Sequence, residues 1–359
     1  MSETDCQDPL FDEQQIGIFI TLNAISGLLS IVGSTLITFI ILRDRRKKLS
    51  RVHNRLILSM SVADILNSSA LGLSIVPTPS NETSCSIGMG NVTTCTIQGF
   101  FLTLGLAVPH YTAMLSIYYF LKIRYQVKDT TVEKVIELVM HVFSLGIPFS
   151  LGIAGVMQDV FFGVFTHCWF ADKCGAMGNC PEGHTFGKAL WFMVLGAIGF
   201  FILLVVITTS LVGSFLTIRK RTNDSRRHRF EANLASVPAR RWSRRFSEAV
   251  NLSSNSSRVA KQSALYVLGF VVTYIWTVIY QICFFINGGD ATKVPISLHF
   301  LAAIFLPLQG FWNFVIYTRP RVEDIQIGNP EASYFCALKR VIFTRETQTN
   351  ASRNRRPSY

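Results

Sequence analysis

The chain has 359 residues, 49% of them apolar, with 34 Lys and Arg against 22 Asp and Glu and a net charge of +12. A basic surplus of that size is a usual sign of nucleic-acid binding, but 31 of the 34 cations fall in four segments that alternate with seven long apolar stretches. The surplus therefore belongs to membrane boundaries, and nucleic acid is excluded as a partner.

Residues 1–16 hold five acids and no Lys or Arg. They lack the basic region of a cleavable signal peptide and read as a short extracellular tail without a folded domain of its own. The apolar stretches follow at about 17–42, 56–76, 94–121, 132–156, 189–218, 259–286 and 295–317. Each is near or above the ~20 residues a helix needs to cross ~30 Å of hydrocarbon. The cations cluster at 43–55, 122–134, 219–261 and after Tyr317, whereas the intervening segments carry only Lys173, Lys188 and Lys293. Positive charge marks the cytoplasmic side. The expected fold is an all-α membrane protein, a seven-transmembrane helix bundle with its N-terminus outside and its C-terminus in the cytoplasm, placed in the plasma membrane as a multi-pass protein. Its third cytoplasmic loop, 219–258, is long and basic, and a tail of 318–359 ends the chain.

Six of the eight cysteines, Cys6, Cys85, Cys95, Cys168, Cys174 and Cys180, fall in segments assigned outside, where disulfides persist. Six allow fifteen pairings. A Cys95–Cys168 bridge would tie the second outer loop over the bundle mouth, Cys174 and Cys180 are close enough for a small hairpin bridge, and Cys6 and Cys85 remain as a pair or as free thiols. Asn81 and Asn91 head outside glycosylation sequons, although the same pattern at Asn223, Asn251, Asn255 and Asn350 falls on the cytoplasmic side.

Asp64 is the one acid well inside a span. Burying it costs roughly 2.5 to 3.5 kcal/mol on insertion scales unless it meets a polar interior or a cation, so it reads as a switch, a sodium-binding group or a protonated packing residue. A retinal protein needs a lysine inside the last helix for its Schiff base, and 295–317 has none. A zinc-dependent seven-helix hydrolase would draw on His110, His141 and His299, which stand singly on three different spans. A transporter would be expected to show internal repeats or paired intramembrane charges, and neither is visible. No metal, cofactor or enzymatic activity is expected, and a transporter is the main alternative to a receptor.

The seventh stretch reads Phe305-Leu306-Pro307-Leu308-Gln309-Gly310-Phe311-Trp312-Asn313-Phe314-Val315-Ile316-Tyr317. It resembles the PLQGFxNxxxY signature of cyclic-AMP-receptor-like and secretin/adhesion-like G-protein-coupled receptors. Cys95 at the start of the third span and Cys168-Trp169-Phe170 in the second outer loop are similar to the disulfide motif of those families. The resemblance covers about residues 17–317. It implies a receptor that passes an extracellular signal to a heterotrimeric G protein, with cyclic-AMP signalling downstream. The Asp-Arg-Tyr, Cys-Trp-x-Pro and Asn-Pro-x-x-Tyr motifs of rhodopsin-like receptors are absent, and so is the secretin-like hormone-binding ectodomain. Within the motif Pro307 removes a backbone hydrogen bond, Gly310 permits close helix approach, and Gln309 and Asn313 share a face. With Asp64 and Tyr317 these residues form the expected switch.

An extracellular ligand of unknown identity is expected in the outer half of the bundle, against Gln98, Leu102, Trp169, Lys188, Trp191, Tyr280, Gln281 and His299. Trp191 and Tyr280 equally suit the interfacial aromatic belt, and Lys188 suits either an anion or lipid headgroups. On the inner face Lys122, Arg124, Arg219, Lys220, Arg221, Arg258 and Lys261 ring the span ends and are expected to meet the G protein, with membrane lipid around them. An amphipathic helix is expected over about 331–343, with Cys336 beside its apolar face as a palmitoylation site. In the third cytoplasmic loop the tandem Arg240-Arg241-Trp242-Ser243 and Arg244-Arg245-Phe246-Ser247 resembles basophilic kinase sites, marking Ser243 and Ser247 for phosphorylation.

Overall fold

The computed structural model describes residues 13–79, 88–127, 129–132, 136–164, 167–171, 187–234, 239–287 and 293–344, with the backbone alone at 13, 129, 164, 222, 225–234 and 239–260. The described elements are helices apart from one small hairpin: α1 (Glu13–Arg43), α2 (Arg45–Lys48), α3 (Val52–Gly72), α4 (Val92–Gly105), α5 (Ala107–Arg124), α6 (Asp129–Thr131), α7 (Glu137–Met157), β1 (Phe161–Val164), β2 (His167–Phe170), α8 (Lys188–Leu234), α9 (Ala239–Ile286), α10 (Ile296–Phe305), a 3₁₀ turn at Leu306–Leu308, α11 (Gln309–Gly328) and α12 (Tyr334–Phe343).

Among the described residues, six stretches are long and apolar enough to cross a membrane: Gln14–Arg43, Val92–Arg124, Glu137–Met157, Lys188–Arg221, Lys261–Ile286 and Ile296–Gly328. This is the pattern of a multi-pass all-α membrane protein. The remaining expected stretch, 56–76, also forms a helix, α3, but its composition is too polar to stand with the six. Asn54, Ser61, Asp64, Asn67 and Ser68 account for the difference, and all five are buried inside the protein. α3 packs against α1, α4, α5 and α11. A helix so enclosed does not need an apolar surface all round.

The expected third span is two helices. Pro109 has no N–H to offer the Gly105 carbonyl, and its ring clashes with that carbonyl in a continuous helix. The ladder accordingly breaks at Leu106, whose N–H reaches Thr103 O instead (3.1 Å). The last span is broken at Pro307 in the same way, leaving the 3₁₀ turn between α10 and α11.

The basic segment expected as a loop is mostly helix, because α8 runs for 47 residues and α9 for 48. Residues 222–234 and 239–258 contain neither Gly nor Pro, and Pro238 lies in the interval between the two helices. The tail helix begins at Tyr334 rather than 331, where Ser333 accepts from the Cys336 N–H (3.3 Å) as an N-cap.

The main core joins α1, α3, α5, α11 and α12 through Ile37, Ile41, Leu56, Met60, Tyr111, Leu115, Val322 and Val341. α1 approaches its neighbours backbone to backbone. A Cβ at Gly33 would lie 2.8 Å from Gly310 O and 3.0 Å from Phe311 Cα, so no larger residue fits there without moving α11.

Candidate functional site

The polar centre of the bundle lies where α1, α3 and α11 meet. Asp64 is fully buried, and its Oδ2 accepts from Ser34 Oγ (2.7 Å) and Ser30 Oγ (3.0 Å). The Pro307 break makes Gln309 the first residue of a new helix, so the first N–H groups of α11 have no partner within it. Ser30 Oγ takes one of them, accepting from Gly310 N at 2.8 Å. Ser68 Oγ donates to Pro307 O (3.3 Å), and Gln309 Nε2 donates to Asn313 Oδ1 (3.3 Å). A Cβ on Gly310 would run into Asp64 Oδ2 and Ser34 Oγ and lie 2.6 Å from Ser30 Oγ. Asp64, Pro307, Gln309, Gly310 and Asn313 are therefore brought together, with Ser30, Ser34 and Ser68 completing the group. These three serines escaped the sequence reading. For Ser30 and Ser34 the signal was a run of small polar residues on α1 (Asn23, Ser26, Ser30, Ser34) repeating every three to four residues, the side that meets α3.

Further polar atoms are buried in these helices beside the group, among them Ser61 Oγ, Gln309 Oε1 and Asn313 Nδ2.

Tyr317 stands apart from that centre, in an aromatic cluster at the inner end. Its hydroxyl donates to Asn54 Oδ1 (3.4 Å), and its ring stacks near His53 at 6.4 Å between centroids. His53 Nδ1 and the Tyr119 hydroxyl share a hydrogen bond of 3.1 Å. Tyr119 in turn stacks on Tyr266 of α9 at 6.4 Å. Two cations close the cluster, Arg321 4.7 Å above the Tyr317 ring and Lys122 5.8 Å above Tyr118. The cluster ties α3, α5, α9 and α11 together.

At the opposite end Cys95 and Cys168 form a disulfide that joins the N-terminal turn of α4 to β2. Gln98, one turn on, is wholly engaged: Nε2 donates to Ala70 O (2.8 Å) and Ser74 O (2.7 Å), and Oε1 accepts from Cys168 N (3.0 Å). β1 and β2 pair antiparallel, Phe162 opposite Trp169, and Trp169 packs on the group of Ala70, Leu71 and Leu102. The hairpin thus lies against α4, the end of α3 and the start of α8. Burial pushes the His167 imidazole down to about 4, so it is neutral at physiological pH.

The other expected ligand residues are dispersed. His299 meets the Tyr280 ring edge-on at 4.9 Å, and Gln281 is half-buried. Lys188 is exposed at the start of α8. Trp191 is 71% exposed on α8 and does not line the interior, as suits a residue of an interfacial belt. His110, His141 and His299 have separate partners: Leu106 O, the Tyr111 hydroxyl and Pro295 O.

Along the inner rim, Arg221 Nη2 donates to Arg124 O (3.4 Å), which places α8 beside the end of α5. Arg219, Lys220 and Lys261 are exposed. Arg258 lies on the described backbone of α9, as do Ser243 and Ser247, but their side chains are outside the description. Asn91 caps α4, its side chain accepting from Thr94 N (3.0 Å). Cys336 is an exposed free thiol on α12. Cys6, Cys85, Cys174, Cys180 and Asn81 lie outside the described residues.

The sequence reading also missed an ion pair. Arg55 of α3 meets Glu137 of α7 through two bonds, Nε to Oε1 at 2.5 Å and Nη2 to Oε2 at 2.7 Å. His141 lies 3.7 Å from the same carboxylate. Nothing in the spacing of single charges on different helices marks the two as partners.

No family model matches this chain, and no curated protein matches it.

Proposed function

We propose that the protein is a seven-helix cell-surface receptor in which α3 is the seventh membrane-crossing element, with the N-terminus outside, and that it passes an extracellular signal to a heterotrimeric G protein. The observation that carries this reading is the polar junction of Asp64, Ser30, Ser34 and Gly310 at the Pro307 break. It sits where the chain carries the resemblance to receptor sequences, and it is a suitable element for a two-state helix. α11 begins anew at Gln309, one of its first N–H groups, that of Gly310, bonds to Ser30 of a neighbouring helix rather than to its own turn, and Gly310 keeps the contact thin. A small displacement of α11 exchanges these bonds without breaking a helix, which is the kind of bistable contact a signal can bias.

Under this reading the outer hairpin and the ends of α9 and α10 receive the ligand. The aromatic cluster around Tyr317 and His53 holds the inner ends of α3, α5, α9 and α11 together until the signal parts them. The cations Lys122, Arg124, Arg219, Lys220, Arg221, Arg258 and Lys261 then flank the opening that a G-protein helix enters.

The test is nucleotide exchange on purified G proteins by the reconstituted full chain, against a ligand panel that includes cyclic nucleotides. Ligand-dependent exchange supports the reading. Solute uptake or solute-dependent current in vesicles, with no exchange on any G protein, replaces it with a transporter.

A further inference from the structure

The tail helix was expected to lay its apolar face in lipid, but the protein itself covers that face. Ala337, Val341 and Ile342 are buried in the main core, with Leu338 packed beside them. The outward side carries a different set: Phe335 is 79% and Phe343 66% exposed, and Cys336, Lys339 and Arg340 are exposed with them. Phe335, Lys339 and Phe343 recur every four residues and share one face.

The end of this helix is fixed at the membrane boundary. Arg43, the last residue of α1 and of its membrane stretch, donates to the carbonyl oxygens of Ile342, Val341 (3.4 Å) and Thr344 (2.9 Å). A guanidinium thus caps the C-terminus of α12, where the carbonyls lack helical partners and the helix dipole favours a cation. The turn that follows Arg43 presents Arg45, Arg46 and Lys47 on its exposed side. Asp44, the acid among them, is within 3.3 Å of Arg43 and 3.6 Å of Lys48. Just before Arg43, Phe39 and Leu42 expose apolar surface on the same turn of α1.

We propose that this corner between α1 and α12 binds the headgroups of anionic phospholipid in the adjoining leaflet. Five cations, Arg45, Arg46, Lys47, Lys339 and Arg340, gather beside one capped helix end. They adjoin exposed Phe39, Leu42 and Phe343, which suit the acyl boundary of a bilayer better than water. Charge complementarity selects an anion, and the adjoining apolar surface at the end of a membrane stretch selects a lipid over a soluble acidic protein. The proposal needs the membrane reading only and is independent of G-protein coupling.

The experiment places the full chain in nanodiscs of phosphatidylcholine alone, with phosphatidylserine, or with phosphatidylinositol bisphosphate. Native mass spectrometry then reads the anionic lipid retained. Two variants, Arg45→Gln/Arg46→Gln/Lys47→Gln and Lys339→Gln/Arg340→Gln, are compared with a control, Arg219→Gln/Lys220→Gln, at another part of the rim. Thermal unfolding in phosphatidylcholine discs confirms that each variant is folded. Retention should fall by about fivefold for each cation removed at the corner, with a smaller loss in the control. Equal losses in all three variants, or none, would overturn the site. Displacement of the lipid by a soluble inositol phosphate that binds as tightly, or binding of an acidic peptide with no lipid enrichment, would overturn the membrane assignment.

Discussion

The Arg55–Glu137 pair makes the sharpest test of the packing, because it links two helices that share few other polar contacts. Its bonds are short, 2.5 and 2.7 Å, and the side chains are 22% and 10% exposed. Breaking a fully buried pair by removing one partner costs about 3 to 5 kcal/mol, whereas exposed pairs contribute less than about 1. The partial exposure of Arg55 discounts the buried figure, so a loss of about 1.5 to 3 kcal/mol is expected for Arg55→Gln or for Glu137→Gln. Arg55 also donates to Leu49 O, so its single variant should be the worse of the two. A double-mutant cycle separates the pair from that extra bond. Unfolding of the purified protein in nanodiscs, followed by tryptophan fluorescence, should show each single variant several degrees less stable. The double variant should lose less than the sum of the two single losses, by at least about 1 kcal/mol of coupling. Additive losses would refute the pairing, and loss of the coupling in high salt would show that the pair is exposed to solvent.

Four further outcomes are expected. Replacing Cys95 or Cys168 with Ser should cost about 2 to 5 kcal/mol and reduce surface delivery, and unchanged stability and delivery would count against a structural role for the bridge. Gly310→Ala drives a methyl group into Asp64 and the two serines and should destabilise by about 1 to 3 kcal/mol, read from the same unfolding assay; a neutral result would mean that α11 stands farther from α1. Asp64→Asn and Asn313→Ala should reach the cell surface yet signal poorly, and normal signalling by both would reduce them to packing groups. Phosphorylation of Ser243 and Ser247 adds about −1.5 to −2 charges each beside four arginines and should desensitise the protein; mass spectrometry of stimulated cells and a Ser243→Ala/Ser247→Ala variant decide this, unmodified serines with unchanged desensitisation being the adverse result.

The helices were legible because membrane-crossing segments write their length directly into hydropathy, and the break at Pro307 followed from a missing N–H; the same missing N–H at Pro109 passed unread inside an apolar run taken as one span. The helical course of 219–258 was not legible as such, because a polar, Arg- and Ser-rich stretch has the composition of a linker while lacking the Gly and Pro that would interrupt a helix. At the site, Asp64, Gln309, Gly310 and Asn313 stood out as polar or small residues within apolar runs. Ser30, Ser34, His53 and Asn54 did not, since serine is common in membrane helices and the other two sit at a boundary where polar residues are ordinary. Pairings across helices, such as Arg55 with Glu137 or Arg43 with the end of α12, depend on helix rotation. One chain's hydropathy does not encode that rotation.

α3 shows why its polarity and its burial belong together. A helix carrying Asn54, Asp64 and Asn67 cannot face lipid at modest cost, so it has to be surrounded, and each polar group becomes a connection to a different neighbour. At the inner end Asn54 bonds Tyr317, and the adjacent His53 bonds Tyr119; midway Asp64 holds Ser30 and Ser34; at the outer end Gln98 holds the carbonyls of Ala70 and, just past α3, Ser74. The same Gln98 receives the N–H of Cys168 in the hairpin. Directional contacts therefore recur along the whole length of α3, from the hairpin and α4 at one end to the aromatic cluster at the other. Directional bonds resist small rotations more sharply than dispersion contacts do, so these contacts fix the rotation of α3 against the helices around it.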